Sequence, residues 1–392
     1  MQINNIKIKN FKSLKNIDIE LNNLTLVTGV NSSGKSSFIQ SILLFKQNQE
    51  KFYSLRGSKI ININDKYVRL GNKKDILFEE AFQENIKIIV SNNQITHNLE
   101  FNTDNLEIKN IKLLPEDNKD LFNIFYDDFQ YIATDREIPD ISYKMSEENV
   151  DKNLIGMKGE YTAHYLANNR LHNMKLLTKV KISNWSIIYP SCILNFNQYN
   201  KFALKHPKSK TVQLLENVSL WLSEISSNIE VKAKVYEELQ QVNLTYNYTY
   251  QNNITKDYTP LNVGFGITYV LPIIVAILKA KKGDLLIIEN PESHLHPAGQ
   301  SKVAELCAIA SANGVQIIVE THSDHFLNGI RVATKKGLLT PEQSKVYYFR
   351  KDKDELETKI DEINIDKDGG IDSYPKGFFD QMDEDLDKLI TW

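Results

Sequence analysis

The sequence has only two cysteines, Cys192 and Cys307. They carry no metal-ligand spacing and form no disulfide framework, which fits a reducing compartment. Charge of neither sign is in excess: 47 Lys and Arg stand against 50 Asp and Glu, a formal net charge of -3. That balance excludes a generally basic nucleic-acid binder and leaves a local basic groove open, because bulk charge is blind to clustering. Long apolar runs are missing as well. The most apolar stretch, Tyr269 to Leu278, falls far short of the ~20 residues that a spanning helix needs. Met1-Gln2-Ile3-Asn4-Asn5 opens straight into an alternating pattern, unlike a secretory leader, so a cytoplasmic location with no membrane contact is expected. No heptad persists over several repeats, which excludes a long coiled coil.

What is present is an ordinary globular composition, 41% hydrophobic and 25% charged over 392 residues, long enough for a core and a second lobe. Ile3, Ile6 and Ile8, then Ile17, Ile19 and Leu21, predict short alternating strands around Phe11-Lys12-Ser13. Leu24 to Val27 predicts a buried parallel strand, and Phe38, Ile39, Ile42 and Phe45 predict a helix over Ser36 to Phe45. Asn-rich turns between short runs predict an antiparallel β region over 50–130. Helical spacing around Tyr161 to Leu177 and Val212 to Ile225 then leads into strand-like sequence at Tyr246 to Tyr250. Leu285 to Ile288, Gln300 to Ala312 and Val315 to Val319 predict a βαβ unit and hence a parallel sheet.

Gly29-Val30-Asn31-Ser32-Ser33-Gly34-Lys35-Ser36 fits the G-x-x-x-x-G-K-[ST] pattern in full, between a predicted strand and a predicted helix. Such a loop curls its N–H groups around phosphate at a helix N-terminus. Gly29, Asn31, Ser32, Ser33, Gly34, Lys35, Ser36 and Ser37 are therefore candidate ATP contacts. Lys35 would reach the β/γ-phosphates, and the Ser36 hydroxyl would ligate Mg²⁺. The first strand of the late unit ends in Glu289-Asn290-Pro291-Glu292-Ser293-His294-Leu295-His296-Pro297. An acidic residue at such a strand end suits the metal, so Glu289 joins Ser36 as a candidate Mg²⁺ group.

This wording resembles the ABC-type ATPases of the SMC, RecF and overcoming-lysogenisation group. The resemblance implies an α/β P-loop NTPase of ABC or SMC-head type, with an antiparallel β region and an inserted helical and mixed lobe. It divides the chain into a body over 1–144 and 258–350, the lobe over 145–257 and a docked tail over 351–392. The family usually places its catalytic Glu where Asn290 stands. Asparagine positions water but accepts no proton, which leaves Glu292 to take that role or makes hydrolysis slow. His322, in Thr321-His322-Ser323 after the next strand, matches the family's γ-phosphate-sensing histidine. Gly264, Gly266 and Thr268, opening the apolar helix from Tyr269 to Lys279, stand where the family's signature loop caps the nucleotide of the opposite subunit. Their wording is degenerate, and a helix-entry turn is the plainer alternative. Zinc held by His294, His296 and His322 fits no common spacing.

Lys12 in Phe11-Lys12-Ser13 and Arg136 in Tyr131-Ile132-Ala133-Thr134-Asp135-Arg136 also resemble segments of these relatives, while neither Gln40 nor Gln130 settles as a Q-loop glutamine. Tyr374-Pro375-Lys376-Gly377-Phe378-Phe379-Asp380-Gln381 resembles the end of a domain of unknown function attached to such ATPases; its two Phe would dock the tail. The resemblance implies an ATP-gated homodimer or higher oligomer that controls a separate effector, such as a nuclease or toxin, in defence against phage or plasmids. Only a short stretch follows His322, so the nuclease domain of the overcoming-lysogenisation proteins is not expected in this sequence. A RecF-like DNA clamp, with a nucleic-acid partner, and a non-hydrolysing nucleotide-binding scaffold are the alternatives.

Overall fold

The computed structural model describes residues 1–52, 59–111, 122–127, 129–169, 204–251, 253–353 and 355–390. The first part runs β1 (Asn5–Phe11), β2 (Leu14–Glu20), β3 (Leu24–Gly29), α1 (Lys35–Gln47), β4 (Asn85–Ser91), β5 (Thr96–Asn102), β6 (Ile108–Ile111), β7 (Gln130–Ile132) and β8 (Tyr143–Lys144). The middle holds α2 (Glu147–Asp151), α3 (Thr162–Asn169), α4 (Leu214–Ser223), β9 (Ile229–Tyr236), β10 (Gln241–Tyr250) and β11 (Asn253–Ile254). The last part holds α5 (Phe265–Lys279), β12 (Leu285–Glu289), α6 (Pro297–Ala312), β13 (Gln316–Glu320), α7 (Asp324–Lys335), β14 (Ser344–Arg350), β15 (Lys359–Ile363) and α8 (Gln381–Ile390). The helix expected over Tyr161 to Leu177 is seen as α3; residues 170–177, like Cys192, lie outside the described residues.

Three sheets organise these elements. The central one has the order β15-β14-β3-β13-β12-β7. All its pairings are parallel except that of β15 with β14. Its strands alternate between two cores, as a period of two requires. Leu286, Ile288, Ile317 and Val319 pack with α5, α6 and α7, while Leu285, Ile287 and Ile318 pack with α1 and the first strands. Burial on both faces explains why these strands read as continuous apolar runs. The second sheet, β2-β1-β4-β5-β6, is antiparallel throughout and closes over α1. The third joins β9 and β10 with β8 and β11, and its apolar face packs in the same core as α4 and α5.

The order β3-β13-β12 has a direct consequence. Parallel strands deliver their C-terminal ends to one edge, which is where open α/β sheets bind ligands. The loops after β3, β12, β13, β7 and β14 all leave from that edge. Phe378 is buried beside Tyr348 of β14, ring centroids 5.4 Å apart, so residues after β15 return to the sheet. Among the described residues, no helix is long and apolar enough to cross a membrane.

Candidate active site

β3 ends at Gly29 with φ 142°, and a Cβ there would lie 2.0 Å from the Phe349 carbonyl oxygen of β14. The loop then turns through Ser32, φ 63°, to Gly34, φ 105°, after which α1 begins at Lys35. Lys35 is buried, and its Nζ donates to the Gly29 and Val30 carbonyls at 2.9 and 2.8 Å. Burial lowers its pKa, and Glu320 and Glu292 work against that shift. The loop from Ser32 to Ser37 lines a cavity of about 300 Å³ together with Lys12, Ser13 and Lys351. Ser33 is 1% exposed, and its Oγ has no hydrogen-bond partner. An orphaned buried hydroxyl in such a loop fits a site built for an anion. Asn31 is exposed and lies outside that lining.

The acidic strand end lies two strands away. β12 and β13 pair so that Glu289 stands beside Glu320. Glu289 accepts from the Thr134 hydroxyl at 3.1 Å, and burial raises its pKa. Glu320 is 4% exposed and accepts from the Ser36 hydroxyl at 3.3 Å. Burial, then the Glu289 carboxylate, push its pKa up to about 7. Glu320 carries in the sequence the same signal that marks Glu289, an acid closing a buried strand, two residues before His322. Two carboxylates and a hydroxyl before a phosphate loop are the hard oxygen donors that suit Mg²⁺, which keeps waters and borrows phosphate oxygens. Among the described residues, no group of three or more His, Cys, Asp or Glu converges as metal ligands.

Glu292 is fixed by the next strand. One carboxylate oxygen accepts from the Thr321 hydroxyl at 2.7 Å, and the other from the His322 backbone N–H at 2.8 Å. Asn290 sits at φ 45° and donates its N–H to the Glu320 carbonyl at 2.8 Å. Asparagine tolerates that left-handed conformation better than most residues. Burial and the nearby Lys35 lower the pKa of His322 and favour its neutral imidazole. The structure thus brings Asn290, Glu292 and His322 together at the ends of β12 and β13.

Arg136 holds this corner from behind. It is 1% exposed; its NH1 donates to Glu289 O and its NH2 to Asn290 O, each at 2.8 Å. The guanidinium lies 4.6 Å over the Tyr269 ring of α5, and burial pulls its pKa down to about 10. Gln130 is tied to Gly156 O and Ile155 N, and Gln40 accepts from Lys12 Nζ at 2.7 Å.

One expectation is corrected at the start of α5. Thr268 is 4% exposed and lies beside Tyr246 of β10 in the core, so its hydroxyl is not presented to a partner. The reason is helical geometry: Leu271, Pro272 and Val275, at three, four and seven residues past Thr268, are all buried, so its side chain shares the inward face of α5. Gly266 permits a close approach, since a Cβ there would lie 2.3 Å from the His294 carbonyl oxygen. Gly264 meets nothing within 4 Å, and Phe265 is 41% exposed. His294 packs edge-on against Phe265 and Tyr269, and His296 caps α6 by accepting from Ala298 N–H.

Residues 1–327 match the model of the AAA ATPase domain. The chain belongs to that family. Residues 339–389 match a second model, a protein of unknown function (DUF3696). No curated protein matches the chain. Among solved structures, an Smc head bound to the C-winged helix domain of ScpA is similar at a TM-score of 0.54 and 13% identity, covering 94% of this chain and 99% of that one. An Smc head domain with an extended coiled coil, bound to the C-terminal domain of ScpA derived from Pyrococcus furiosus, is similar at 0.50 and 11%, covering 100% of both chains. The AAA ATPase domain therefore has an Smc-head-type α/β P-loop fold with mixed sheets.

Proposed function

We propose that this AAA ATPase is an ATP-binding, slowly hydrolysing switch that dimerises around nucleotide and controls a separate effector. The observation that carries the reading is the phosphate loop itself: buried Lys35 and exposed Ser36 line one cavity, and the Ser36 hydroxyl donates to Glu320 at 3.3 Å. Lys35 would exchange the loop carbonyls for phosphate oxygens, a stronger charge-assisted partner. Ser36, Glu289 and Glu320 would hold Mg²⁺, which when bound supplies charge neutralisation for the phosphates. Glu292 positions Thr321 and His322, and its remaining lone pairs can orient water. Asn290 orients but takes no proton, which favours slow turnover.

The dimer reading rests on the open Gly264 and Phe265 at the start of α5. Both Smc heads above are bound to ScpA domains, which supports a separate protein partner here. A role in defence against phage or plasmids, and the division into a body, an inserted lobe over 145–257 and a tail, belong to the same reading. The test is steady-state ATP hydrolysis by wild type and Lys35→Ala, with oligomeric state followed in parallel. Slow turnover with ATP-driven dimers, both lost in Lys35→Ala, is the expected result. ATP binding and dimers without turnover would make the chain a clamp; no ATP binding would overturn the reading.

A further inference from the structure

The segment that matches a protein of unknown function reaches the phosphate loop. We propose that it is a working part of the nucleotide site, with Thr358 clamping the loop and Lys351 giving a second cation to the nucleotide's phosphates. The inference rests on the ATP-binding reading above.

β14 lies beside β3 in parallel, with Phe349 paired to Gly29, so Arg350 and Lys351 leave the sheet where the phosphate loop begins. Thr358, just before β15, is 5% exposed. Its N–H donates to Ser13 O at 2.8 Å, and its Oγ1 lies 2.8 Å from both Ser33 O and Ser13 Oγ. One hydroxyl thus joins the phosphate loop to the β1–β2 turn. The glycine at the head of α1 is fitted to it: a Cβ on Gly34 would lie 2.3 Å from Thr358 Oγ1.

Lys351 lines the same cavity as Lys12 and Lys35. The other two lysines are engaged, Lys12 on Gln40 and Lys35 on its own loop. Acids near Lys351 are engaged too. Asp352 pairs with Arg350 and Lys359, Glu355 with Lys359, and Glu357 with Lys15. Among the described residues, Lys351 has no ion-pair partner. An exposed cation on a cavity that ends in a phosphate loop is placed for an anion, and the phosphates of a nucleoside triphosphate are the anion that this loop takes.

The experiment is ATP titration of the full chain with Mg²⁺ for wild type, Lys35→Ala, Lys351→Ala, Lys351→Arg, Thr358→Val and Thr358→Ser, with folding checked by circular dichroism. Lys351→Ala and Thr358→Val are expected to bind about tenfold more weakly, and Lys351→Arg and Thr358→Ser to restore most of the affinity. If wild type binds, Lys35→Ala does not, and Lys351→Ala and Thr358→Val match wild type, the segment is a plain sheet edge and the inference is overturned. If wild type itself binds no ATP, the nucleotide reading falls, and the inference with it.

Discussion

The Ser36 hydroxyl stands 3.3 Å from a carboxylate oxygen of Glu320. This contact links the first turn of α1 to the end of β13, across chain positions nearly three hundred residues apart. A metal on Ser36 would take a lone pair of its oxygen, and the hydroxyl hydrogen could still serve Glu320. The carboxylate would then face the metal or one of its waters.

Removing that carboxylate is therefore expected to separate metal-dependent from metal-independent binding. Glu320→Gln keeps the shape and loses the charge. ATP affinity in Mg²⁺ is expected to fall about tenfold or more, on the scale of a charge-assisted contact. Titrations in Mg²⁺ and in EDTA check this. A loss of equal size in EDTA would mean that Glu320 only shapes the loop.

Much of this site was legible because its signals are local. The phosphate loop is eight contiguous residues whose spacing dictates their geometry, and Leu285 to Glu289 announces a buried strand closing on an acid. What escaped depends on tertiary neighbours. Thr358 sits in a run of Asp, Glu and Lys that reads as a solvated turn, yet β15 is pinned by pairing with β14. Thr268 read as a loop hydroxyl, because sequence spacing does not say which side of α5 meets β10. Arg136 stood out only by resemblance; its burial depends on carbonyls from β12 and a ring from α5.

Asn290 and Glu292 call for opposite outcomes. Asn290→Glu restores a base at the position that the family usually gives to one, so turnover is expected to rise. The left-handed φ of 45° makes the exchange cost about 1–2 kcal/mol of stability. Glu292→Gln replaces one acceptor oxygen with an amide N–H₂ facing Thr321 or His322, and turnover is expected to fall at least tenfold. Thr321→Val tests whether that loss comes through position. A fall in kcat with ATP affinity retained marks Glu292 as orienting His322, whereas unchanged kcat in Thr321→Val assigns it a direct part.

Arg136→Lys is expected to be poorly tolerated although charge is conserved. A lysine does not bridge the carbonyls of Glu289 and Asn290 while stacking flat on Tyr269. One buried carbonyl left without a donor costs about 1–3 kcal/mol. Thermal unfolding should show the loss, and steady-state kinetics should show kcat falling more than ATP affinity. A variant with wild-type kcat and a lowered melting temperature would confine Arg136 to the scaffold.

Phe265 separates self-association from nucleotide binding. It is 41% exposed at the first turn of α5, next to Gly264, which has open space around it, and α5 has no side-chain N-cap. In a nucleotide-sandwiched dimer this end of the helix would face the partner's phosphates, where its unsatisfied N–H groups favour an anion. Phe265→Asp places a carboxylate there and repels that anion. The variant is expected to bind ATP as a monomer with near wild-type affinity and to form no ATP-dependent dimers in sedimentation velocity. Hydrolysis should fall with the dimers, because the second half of each site would be missing. If the variant dimerises like wild type, the start of α5 is a helix-entry turn packed on His294, and the subunit contact lies elsewhere.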